Sequence, residues 1–265
     1  MKQAIAILLL FSVISVSAQQ NQGRIVYERT TKLQIQINDD AFKNSLPQER
    51  KDKFELLFSG EKTLWRAVED DSPESDMSFD DGNGAHVKIM VPGTNDITYS
   101  NLAELKKIEQ KEVMAKTFIV EDSIRKLKWK LGNETRKVMG YDCKMATSQR
   151  IQPTTKVTMD NGEMKRQEVM DTATIVAWFT DAIPGFGGPD AYQAQLPGTI
   201  LEIDINNGRS HFIALELSPK VDVKEIKEPK GKRITPEEFK KERDKMFEQM
   251  QKNNGGNFNI KVGPN

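Results

Sequence analysis

The sequence predicts a mainly β protein: a single large curved antiparallel sheet or partly open barrel, with a C-terminal α-helix. Three observations carry this. Apolar residues recur in short alternating runs, clearest at Leu33, Ile35 and Ile37, which is the period of a half-buried strand. No stretch with helical spacing long enough for a crossover helix falls between successive runs, so parallel βαβ units are disfavoured. The runs suffice for about nine to eleven strands, and twisted open sheets seldom exceed about ten strands without curling.

The first eighteen residues read as a leader. Lys2 supplies a positive start, Ala4 to Ile14 a short apolar core, and Val16-Ser17-Ala18 a small-residue cleavage pattern, with the cut before Gln19. The apolar run is too short for a good membrane span, and no later stretch reaches the length of one. The chain is therefore expected to be exported, with a β domain over 19–230 and an amphipathic helix and polar tail over 231–265. Lys plus Arg (39) balance Asp plus Glu (39), an even charge that argues against a nucleic-acid binder.

The elements follow in order. Gly23 to Asn38 is a half-buried strand, and Ala41 to Lys53 a charged excursion with a helical turn. Phe54 to Ser59 and Thr63 to Val68 form a hairpin about Gly60-Glu61-Lys62. Glu69 to Gly84 is acidic but lacks calcium-loop spacing, so it reads as a solvated loop. Strands are expected at His86 to Val91, Asp96 to Asn101, Glu112 to Val120, Arg125 to Leu131, Cys143 to Arg150 and Ala173 to Thr180. A polar insertion, Thr154 to Met170, separates the last two. Thr199 to Ile205 turns at Asn206-Asn207-Gly208 into Ser210 to Leu217, the strongest hairpin signal in the chain. Val221 to Lys227 is a candidate edge strand. Thr235-Pro236-Glu237-Glu238 is a capping box, and Phe239, Met246, Phe247 and Met250 share one narrow face of the helix that follows. That stripe reads first as a docking face on the chain's own sheet.

Between the strands ending at Thr180 and starting at Thr199 lies a loop rich in Pro and Gly. It calls for fixed φ at some positions and positive φ at others, hence an ordered turn, with Gly198 its candidate strained position. Catalytic motifs are scarce. His86 and His211 with the single Cys143 give no metal-ligand spacing, and His211 reads as a polar-face strand residue. Cys143 reads as a buried small hydrophobe rather than a nucleophile. Gly185, Gly187 and Gly188 lack the lysine and helix of a phosphate loop. Trp65, Trp129 and Trp178 either build the core or line an apolar cavity.

The segments GYDCKMA (140–146), AWFTDAIP (177–184), GPDAY (188–192) and LPGTILEI (196–203) resemble the GLPGLI family. Gly188, Pro189, Tyr192, Leu196, Pro197, Gly198 and Ile200 carry the loop motif as a structural element. Gln195 and Thr199 depart from the namesake Gly and Leu. The resemblance implies an exported Gram-negative envelope protein with an antiparallel β fold and no established activity. A weaker, fold-level similarity is to periplasmic carriers of the LolA/LolB type.

Two functions are expected from these readings. One is a non-enzymatic carrier or binding module that holds an apolar or lipid-like ligand on the concave face, with the loop at its mouth. The other is an adaptor docking on an outer-membrane protein through the loop or the Phe/Met helix. Neither calls for a cofactor, a metal or a nucleic acid.

Overall fold

A computed structural model describes residues 21–33, 46–68, 76–80, 86–90, 93–160, 163–183, 185, 187–253 and 259–261. The expected leader lies outside these residues. Among the described residues one open, curved sheet has twelve strands. Its first half is β1 (Gln22–Lys32), β2 (Glu49–Ser59), β3 (Lys62–Ala67), β6 (Ile97–Asn101), β7 (Lys106–Val113) and β8 (Lys116–Ser123), each hydrogen-bonded to the next. Its second half is β9 (Lys130–Val138), β10 (Tyr141–Asp160), β11 (Glu163–Thr180), β12 (Thr199–Ile205) and β13 (Ser210–Ser218). The halves join where β1 pairs antiparallel with β13. The expected curved antiparallel sheet is therefore present, and it remains open, with β9 at one end. At the other end β14 (Arg233–Ile234) runs parallel to β8. A small second sheet is made by β4 (Asp76–Asp80), β5 (His86–Met90) and β15 (Asn259–Lys261).

The concave face carries the core. Register places Ile25 opposite Leu56, Tyr27 opposite Phe54, and Leu56 opposite Trp65, all side by side and buried. From the other half come Ile175, Ala177, Phe179, Ile203, Phe212 and Ala214. Trp65 stacks on Phe54 at 5.1 Å and 8°, with Tyr27 and Phe212 tilted against it. It is core; Trp129 and Trp178 are partly buried at the margin. A second cluster, Leu57, Leu64, Tyr99, Ile108 and Ile119, is closed by Ile226.

Several sequence expectations are corrected. Lys53 and the residues back to Glu49 belong to β2 rather than an excursion. The run 112–120 is no single strand: the chain reverses at Met114 and Ala115, both at positive φ (50° and 60°). β4 interrupts the acidic segment expected to be loop throughout. The polar insertion is strand, because β10 and β11 pair continuously from Lys144↔Phe179 to Asp160↔Glu163. Residues 125–129 are irregular, and strand resumes at Lys130 as the exposed edge β9. Val223–Glu225 is a 3-10 turn rather than an edge strand. Asp222 caps it by accepting from the Lys224 amide, and Arg66, already paired with Glu55 at 2.7 Å, also pairs with Glu225.

The helix α1 (Pro236–Asn253) starts as the capping box requires. The Thr235 amide donates to Glu238 at 2.8 Å, and the Glu238 amide donates to the Thr235 hydroxyl at 3.2 Å. Phe239 meets Phe118 of β8 edge-on at 5.4 Å, so this end of the stripe docks on the chain's own sheet. The side chains of Phe247 and Met250 lie outside the described ones.

Candidate functional site

The loop between β11 and β12 lies over the concave face and is ordered by its own contacts. Pro189 precedes a 3-10 turn, Asp190–Tyr192, and the Tyr192 amide donates to the Pro189 carbonyl at 3.0 Å. The Ile200 amide donates to Gly187 at 3.0 Å, and the buried Tyr27 hydroxyl donates to the Ile200 carbonyl at 2.8 Å. Thr63 of β3 donates its hydroxyl to the Gln193 side chain. Tyr192, Leu196, Gly198 and Ile200 are buried and Pro197 is exposed.

The glycines serve a different purpose from the one expected. Of those described here, Gly185 has positive φ (102°), while the other left-handed positions fall on Asp190 (51°) and Ala194 (56°). Gly188 and Gly198 are required by proximity. A Cβ on Gly188 would lie 2.5 Å from the Tyr192 carbonyl oxygen, and one on Gly198 would lie 2.4 Å from that of Thr180.

Gln195 departs from the namesake motif, and its side chain has a definite task. Its carbonyl oxygen accepts from the Leu127 amide at 2.9 Å and from the Trp129 indole at 3.4 Å, while its amide nitrogen donates to the Arg125 carbonyl at 3.1 Å. One side chain thus ties the loop to the irregular link between β8 and β9, the two halves of the molecule. The departure from Gly was the visible signal; its partners were not.

Tyr192 and Leu196 of the loop and Ile200 at the start of β12 pack into the core on the concave face. Between Ile25, Phe58, Leu102, Gly187 and Thr199 only about 10 Å³ remains, no more than one water. The larger cleft, about 340 Å³, lies elsewhere, between the loop and strands β6 to β8. Thr98, Ser100, Lys107, Glu109 and Asp122 form its floor; Arg125, Leu127 and Arg150 stand at its side; Asp190 to Gln193 form the opposite wall. Strand register explains the floor, because Thr98↔Glu109 and Ser100↔Lys107 share the inward face.

Charges of both signs meet there. Lys107 pairs with Glu109 at 2.8 Å, and Lys111 reaches Glu109 at 3.2 Å and Asp96 at 3.5 Å. Burial pushes the Glu109 carboxyl up, but the two lysines outweigh it and hold it below the usual carboxylate range. Burial raises Asp96, and its attraction to Lys111 only partly offsets this. Arg150 lies over the Tyr192 ring at 5.9 Å. The Tyr192 hydroxyl is buried and has no hydrogen-bond partner.

Burial pushes the Tyr192 phenol up to about 12. Up to its ordinary value near 10 the folded and unfolded chains are both protonated. Between 10 and 12 the unfolded chain ionises first, so stability falls as pH rises. Urea unfolding across that window is expected to show Tyr192→Phe losing about 1–2 kcal/mol less than wild type. Parallel curves would remove Tyr192 from the account.

Other candidates are accounted for structurally. Cys143 is buried, burial pushes its thiol up, and its sulfur lies 3.6 Å from the Tyr141 carbonyl. His211 sits on the polar outer face, 2.8 Å from Glu202, which also pairs with Arg136. Arg136 in turn lies 4.2 Å over Trp178. Burial would raise the Glu202 carboxyl, yet the hydrogen bonds from His211 and Arg136 keep it low. The His86 side chain lies outside the described ones. Among the described residues no three of His, Cys, Asp and Glu group to hold a metal.

The fold and the cleft define an open, curved β module with a polar, loop-walled groove. Residues 129–202, from the β9 edge into β12, match a family model described as a protein of unknown function (Porph_ging). The match contains most of the segments that carry the GLPGLI resemblance and is consistent with it. No curated protein matches the chain significantly. Two crystal structures of PNGF-II are similar: one at 17% identity and TM-score 0.49, the other at 16% and 0.50. Each similarity covers 83% of this chain and 32% of PNGF-II, so the chain spans about a third of the protein it matches. At this identity the second likeness speaks to the fold alone.

Proposed function

We propose that this chain is an exported, non-enzymatic adaptor of the cell envelope, and that its cleft grips a polar segment of an envelope protein. The observation that carries the reading is the cleft of about 340 Å³ lined by both signs of charge, with a buried tyrosine hydroxyl left without a partner. An unsatisfied buried polar group costs about 1–3 kcal/mol, which a polar occupant would recover. The leader-like N-terminus supports export. No described helix is long and apolar enough to cross a membrane. The alternative, a carrier of an apolar or lipid-like ligand, would need open space where loop residues pack into the core.

Photocrosslinking in the native envelope tests the proposal. A photoreactive residue at exposed Arg125, on the cleft rim, is expected to give discrete protein adducts that one at His211, on the outer face, does not. Mass spectrometry of the same material is expected to find Gln19 as the mature N-terminus. Lipid adducts alone from position 125 would restore the carrier reading; equal adducts from both positions would remove the cleft as the contact.

A further inference from the structure

A second polar cluster lies on the concave face, away from the cleft. Register aligns Arg50 of β2 with Thr31 of β1, and Thr31 with Ser210 of β13, in one row across three strands. With strands about 4.8 Å apart, the row spans roughly 10 Å. The next row holds Arg29 opposite Asp52. Both arginines are 6% exposed and Asp52 is 2% exposed. Asp52 accepts from Arg29 at 2.7 Å with one oxygen and from Arg50 at 2.6 Å with the other. Arg29 also donates to the Thr94 hydroxyl at 3.2 Å and lies over the Phe54 ring at 4.6 Å.

The charge count does not close. Two guanidinium side chains share a single carboxylate. The donors do not close either. Both terminal nitrogens of Arg50, the Arg29 Nε and the hydroxyls of Thr31 and Ser210 are buried without hydrogen-bond partners. A buried charge is tolerated when it is paired and hydrogen-bonded, and a guanidinium edge matches an oxyanion with two parallel bonds.

We infer that the row Arg50, Thr31 and Ser210, backed by Arg29, is a buried binding site for a small oxyanion: a phosphate, a sulfate or a carboxylate. The anion accepts from the free edge of Arg50 and from the two hydroxyls, and it neutralises the charge that Asp52 leaves over.

Thermal unfolding and titration calorimetry of the full chain in phosphate, sulfate, acetate and chloride at matched ionic strength test this. A saturable rise in Tm with phosphate or sulfate identifies a tetrahedral ligand, and a rise with acetate alone identifies a carboxylate. Arg50→Met, which removes the charge and keeps the bulk, is expected to abolish the response. Should that variant not fold, Thr31→Val and Ser210→Ala decide, each expected to weaken binding of the responding anion by roughly tenfold, the loss of one hydrogen bond to a charged group. Equal Tm in all four salts, or a response that survives unchanged in Arg50→Met or in both hydroxyl variants, overturns the site.

Discussion

Gly198→Ala is expected to destabilise the protein by about 3 kcal/mol or more, a loss of several degrees in Tm. One methyl group is added, and it meets backbone. The new carbon would lie 2.4 Å from the Thr180 carbonyl oxygen, 2.9 Å from its carbon and 3.2 Å from the Asp181 nitrogen. No rotamer relieves such a clash, because the opposing atoms are main chain at the end of β11. The backbone must separate, and Thr180↔Thr199 is the last rung of the β11–β12 ladder. The loop above would shift with it and loosen the Thr199 hydroxyl's bond to the Ile183 carbonyl, now 3.4 Å. Thermal denaturation of the purified variant is the check. An unchanged Tm would show that the two backbones can part without cost.

Asp52→Ala is expected to cost about 3–5 kcal/mol, the usual range when one partner of a buried ion pair is removed. The carboxylate is fully shielded and bridges Arg29 and Arg50, so its loss leaves two buried cations facing each other. Adding Arg50→Met to Asp52→Ala is expected to recover more than half of the loss, since the repulsion goes with the second charge. A double-mutant cycle by urea unfolding measures this coupling. Additive single losses would mean that Asp52 contributes by packing rather than by charge.

Where local chemistry sets the backbone, the sequence was readable. Gly60 and the Asn206-Asn207-Gly208 turn sit at positive φ, and both hairpins fall where turn residues place them. The Thr235 cap was equally plain. The β7–β8 hairpin is not legible because its turn uses Met114 and Ala115, which carry no turn signature. The arm of β10 and β11 is not legible because its outer part pairs only with itself. β9 is an exposed edge, so its pattern is polar on both sides. The Pro/Gly loop was recognised as ordered, and Gly198 as special, but the cause is a close approach between strands. The cleft could not be read. Lys107, Glu109, Arg150 and Gln193 come together through register across distant strands, which one sequence does not state. The same holds for Arg29, Asp52 and Arg50.

The ladder between β1 and β13 also sets an order of events. Tyr27 reaches Ile200 across 173 residues, and Thr63 reaches Gln193 across 130. Until β13 has emerged, the inner edge of the first strand has nothing to pair with, and the two meanders remain unjoined. Contacts this remote in sequence form slowly, because their loops must close before anything stabilises them. Both meanders can therefore be complete in sequence, and each paired within itself, before the seam that joins them closes.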